Sequence, residues 1–69
     1  MKTKLFKYGA TIALVTYAPG LPAEVHYYYG IPQIEIRPEY TDTVPRILRI
    51  NVSEWAEKNG ITFKETATI

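Results

Sequence analysis

The chain has 69 residues, eight of them basic and seven acidic, a formal net charge of +1, 46% hydrophobic residues and no cysteine. Those values exclude a disulfide framework, a thiolate metal site, an acidic DNA mimic and a large basic footprint for duplex DNA. One domain spanning 1–69 is expected, small enough that packing or association with another subunit must supply what disulfides cannot.

Residues 1–20 have lysines followed by the apolar run Ala10–Ala18, the outline of a secretory leader. Two threonines and a tyrosine interrupt that run, Pro19 is a poor residue after a cleavage site, and removal would leave barely a domain. The segment is therefore read as two strands, Lys4–Tyr8 and Ala10–Tyr17, bent at Gly9, and the protein as cytoplasmic. The second strand, apolar on both faces, belongs at the centre of a sheet. No run approaches the ~20 apolar residues that cross a bilayer, so no membrane is expected among the partners.

Ala18-Pro-Gly-Leu-Pro22 is turn chemistry. Glu24–Arg37 follows, with half of the six tyrosines and the single histidine. Val25, Tyr27 and Tyr29 alternate with Glu24, His26 and Tyr28, so the first set is assigned to the core face of a strand and the second to the other face. A second strand carries Ile34 and Ile36 after a bend at Gly30-Ile31-Pro32. Like charges directly opposite destabilise a sheet, so Glu35 is expected against His26, or Arg37 against Glu24, rather than Glu24 against Glu35. Pro38–Pro45 reads as a polar loop.

Residues 44–59 carry two patterns. Val44, Ile47, Leu48, Val52, Trp55 and Ala56 recur at helical spacing, with Thr43 or Asp42 as cap and Pro45 in the first turn. The β-branched density of Ile47–Val52 instead favours a strand over Arg46–Ile50, then a short helix capped at Asn51, where Asn-Val-Ser-Glu54 has capping-box spacing. The second arrangement is preferred. Asn59-Gly60 ends the helix on both, Trp55 packs in the core, and Ile61–Ile69 closes the sheet. The expected fold is α+β: a small, mainly antiparallel sheet of five or six strands with one short helix on one face.

No catalytic set emerges. Ser53, the only serine, lacks a glycine-flanked elbow. The glycines at 9, 20, 30 and 60 are isolated and make no phosphate cradle. Asn51-Val-Ser53 matches a glycosylation acceptor, but Asn51 is read as a helix cap. No cofactor, metal or enzymatic activity is expected. Tyrosine and arginine offer contact area with a polar tip, which makes His26, Tyr28, Arg37, Tyr40, Arg46 and Arg49 the candidate partner-binding residues. A protein partner is the first reading. The alternative is single-stranded nucleic acid stacked on the same tyrosines. Neither terminal strand contains a proline, so a homodimer through a terminal strand is also expected.

The strand–short helix–glycine–strand passage expected over Arg46–Lys64 resembles the looped-hinge transcription regulators and their toxin relatives, though without their spacings, and no residue role carries over. The compact, cysteine-free format resembles small accessory proteins of phages and mobile elements. That resemblance implies inhibition of a host protein by occluding its surface.

Overall fold

Local chemistry sets the turns between strands. A computed structural model describes residues 1–64. Strands β1 (Lys2–Tyr8) and β2 (Thr11–Tyr17) are joined by Gly9-Ala10. Gly9 has φ +61° and Ala10 no positive φ, the pattern of a type II′ hairpin turn. Between β2 and β3 (Ala23–Tyr29) the Leu21 amide donates to the Ala18 carbonyl over Pro19-Gly20. Gly20 at φ +78° fits the glycine position of a type II turn.

Four strands form an antiparallel sheet in the order β1-β2-β3-β4, where β4 is only Ile34–Glu35. A two-residue β5, Phe63–Lys64, runs parallel to β3 beside Ala23 and Glu24. The antiparallel sheet thus has fewer strands than the five or six expected. The strand expected to carry Ile34 and Ile36 is cut to Ile34–Glu35, and Pro38 begins a 3₁₀ turn, Pro38–Thr43, where a loop was expected. Thr41 and Thr43 lend it their hydroxyls, which donate to the Pro38 and Tyr40 carbonyls. Of the expected closing strand, residues 65–69 lie outside the described residues.

The preferred reading of residues 44–59 is corrected. Arg46–Lys58 is one helix, α1, with no strand at Arg46–Ile50. Asn51 and Ser53 are exposed positions inside it rather than its cap. Nor do Thr43 or Asp42 cap it: Pro45 precedes the first turn without a side-chain cap bond. Local β propensity lost to packing: the helix stacks Leu48, Val52 and Ala56 on its inner face and turns Ile50, which a strand would set on the same side as Leu48, toward solvent. The three inner residues are buried. The expected stop holds: the Gly60 amide donates to the Glu57 carbonyl and the Ile61 amide to Ala56, a Schellman closure with Gly60 at φ +66°. The same correction removes the strand on which the looped-hinge resemblance rested.

The helix lies on one face of the sheet. There Leu48 and Val52 join Ala13, Val15, Ala23, Val25, Tyr27 and Val44 in the core. Trp55 closes the end of the layer edge-on to Phe6 and Tyr17, with ring centroids 5.7 and 5.1 Å away. No described helix is long and apolar enough to cross a membrane.

Candidate functional site

The register separates the candidate residues. Leu14 pairs with His26, Ile12 with Tyr28 and Thr16 with Glu24, which puts His26 and Tyr28 on the sheet face away from α1. Arg37 and Tyr40 lie beyond β4 and line a groove with Tyr29, and Arg37 also borders a smaller pocket that His26 lines. Arg46 and Arg49 belong to α1 and line a separate groove with Asp42, Ile50 and Glu54. The six residues therefore occupy three places rather than one face.

On the first, His26 is held between two carboxylates. Its Nδ1 lies 2.7 Å from Glu35 Oε1 and its Nε2 3.4 Å from Glu24 Oε1. The register expected from charge, with Glu35 directly opposite His26 or Arg37 opposite Glu24, is not the one formed, although the side chains of Glu35 and His26 do meet. The backbone partner of Glu35 is Tyr28, so the side chains meet along the diagonal of the ladder. A neutral imidazole donates through one nitrogen, a protonated one through both. The Glu35 hydrogen bond is the main reason that the His26 pKa is raised; partial burial opposes it, and Glu24 adds a smaller lift. The carboxylates sit on opposite ring nitrogens, so they do not converge with the ring on one ion, and no metal-holding group of His, Asp and Glu occurs among the described residues. Ser53 is on α1, across the sheet from His26.

The second place is a groove of about 590 Å³, with apolar walls from Tyr29, Ile34, Ile36, Tyr40 and Pro45. Thr11 and Tyr29 are opposed in the ladder, so Tyr29 shares the core face with Tyr27. Tyr27 is 4% exposed and Tyr29 is 59% exposed. Alternation assigned Tyr29 to the core correctly by face and wrongly by depth: it is the last residue of β3 and lines an open groove. Ile34, at 69%, and Tyr40, at 57%, are open to solvent beside it. Arg37 stands at the rim, its Nε 3.2 Å from Glu39 Oε2, a bond that orients an otherwise open guanidinium. Sequence reasoning found Arg37 and Tyr40 and missed Tyr29 and Ile34. The available signal was Gly30-Ile31-Pro32, which ends β3 immediately after Tyr29.

Compared with known proteins, the chain matches no family model, no curated protein and no solved structure.

Proposed function

We propose that this is a non-catalytic protein-binding module, and that the groove between β4 and the 3₁₀ turn receives an apolar segment of a partner protein. The observation carrying this reading is the cluster of Tyr29, Ile34 and Tyr40, exposed side by side next to an oriented arginine. Exposed apolar patches with aromatic anchors are the usual form of protein contact sites. The tyrosines supply buried area, and Arg37 offers its terminal nitrogens to a carboxylate on the bound segment. Occlusion of the partner's surface is the proposed mode of action, in line with the small accessory proteins that the format resembles. Nucleic acid is the less favoured ligand, because a carboxylate accompanies each candidate cation. Glu35 lies on His26, Glu39 on Arg37, and Asp42 and Glu54 line the groove of Arg46 and Arg49.

The test is capture from host lysate with and without nuclease, using wild type, Tyr29→Ala/Tyr40→Ala and, for the opposite face, Tyr28→Ala. A nuclease-resistant protein held by wild type and Tyr28→Ala and lost by the double variant supports the groove. Its contact segment, mapped by cross-linking, is expected to hold apolar side chains beside an acidic one. Capture abolished by nuclease, or unchanged in the double variant, refutes the proposal.

A further inference from the structure

The two edges of the sheet are finished differently. The outer edge of β3 is paired with β4 at Tyr28–Tyr29 and with β5 at Ala23–Glu24. Among the described residues nothing pairs with the outer edge of β1, whose seven residues contain no proline. In a two-residue hairpin the residues flanking the turn form a hydrogen-bonded pair. Tyr8 and Thr11 are that pair, so Lys2, Lys4, Phe6 and Tyr8 direct their backbone groups to β2. Thr3, Leu5 and Lys7 direct theirs outward.

We propose that β1 pairs antiparallel with β1 of a second copy, about a two-fold axis perpendicular to the sheet, with Leu5 opposite Leu5 of the second copy. Such an axis keeps each face on its own side, so the strand must be centred on a residue that meets itself. Centring on Lys4 or Lys7 sets ammonium groups directly against each other. Centring on Thr3 opposes Lys2 to Lys4. Centring on Phe6 leaves Lys2 and Thr3 outside the pairing and sets Leu5 against Lys7. Centring on Leu5 uses the whole strand and opposes Lys2 to Tyr8, Thr3 to Lys7 and Lys4 to Phe6. Lysines on an edge ordinarily deter pairing; their spacing here deters the competing registers. Within one chain the Lys4 Nζ already lies 5.8 Å from the centroid of the Phe6 ring, a cation–π approach that the second copy's Phe6 would extend. Leu5, 54% exposed on the face away from α1, would be covered by its own counterpart. The dimer is a continuous sheet with both helices on one side, and both Tyr29–Tyr40 grooves remain open at its far ends.

Sedimentation and cysteine cross-linking test this without reference to the groove. Wild type is expected at twice 7.9 kDa, and Leu5→Lys at 7.9 kDa with an unchanged circular dichroism spectrum. The chain has no cysteine of its own, so mild oxidation reports one position at a time. Leu5→Cys is expected to give a covalent dimer, since Cα atoms of a hydrogen-bonded antiparallel pair lie ~5.5 Å apart, within disulfide reach. Thr3→Cys, opposed to Lys7 in this register, is expected to give at least tenfold less. A wild-type mass of 7.9 kDa at all concentrations, a Leu5→Lys dimer, or equal cross-linking at both positions overturns the proposal.

Discussion

Leu48 and Ile50 decide between the two ways of folding residues 46–50. In a strand they would share a face; in α1 they point apart, and Leu48 is 0% exposed against 39% for Ile50. Leu48→Ala removes a fully enclosed side chain between the helix and the Ala13–Val15–Val25 floor, a class of change that costs about 2–5 kcal/mol. At roughly 0.05–0.15 kcal/mol per residue a chain of this length has about 3–10 kcal/mol in total, so one substitution takes a large share. With a urea slope near 1 kcal/mol per M for so small a domain, the midpoint should fall by about 2 M or more. Ile50→Ala should move it by less than about 1 M, since an exposed apolar group loses little transfer energy. Urea titrations of wild type and both variants, followed by Trp55 fluorescence, measure this. Equal losses at the two positions would refute the helical packing.

Three further outcomes follow from particular contacts. Gly60→Ala meets no atom within 4 Å, so its cost is the left-handed backbone alone, about 1–2 kcal/mol, and thermal unfolding should drop by several degrees while the β3–β5 pairing persists. His26 is raised above its ordinary value of 6.5 by Glu35. Its bridge therefore stabilises fully below that value and is lost as pH rises through the higher folded one. The melting temperature of wild type relative to Glu35→Gln should be greatest near pH 5.5 and converge above the folded value; a gap that grows with pH would contradict the assignment. Tyr40→Ala, at an exposed position, should change stability by no more than about 0.5 kcal/mol while weakening partner capture, as compared by chemical denaturation and binding titration.

What the sequence disclosed divides along a physical line. Period-two alternation in Ala23–Tyr29 reports which face a side chain takes, and the two-sided apolar run of Thr11–Tyr17 reports a central strand, but the pairing of Val15 with Val25 and Ala13 with Tyr27 is set by the turn between them. Glycine and proline report where the chain turns, and they did so at Gly9, Pro19-Gly20 and Asn59-Gly60. Neither signal reports what lies above a face. Ile47–Val52 has strand-like composition and helix-like spacing, and the outcome depends on a floor of Ala13, Val15, Val25 and Tyr27 that rewards the line of Leu48, Val52 and Ala56. The groove shows the same limit. Tyr27 and Tyr29 are equivalent by alternation, yet one is sealed and the other open, because coverage depends on what packs over each position rather than on the strand. Tyr29 becomes available for recognition by being a core-type residue one step past the core.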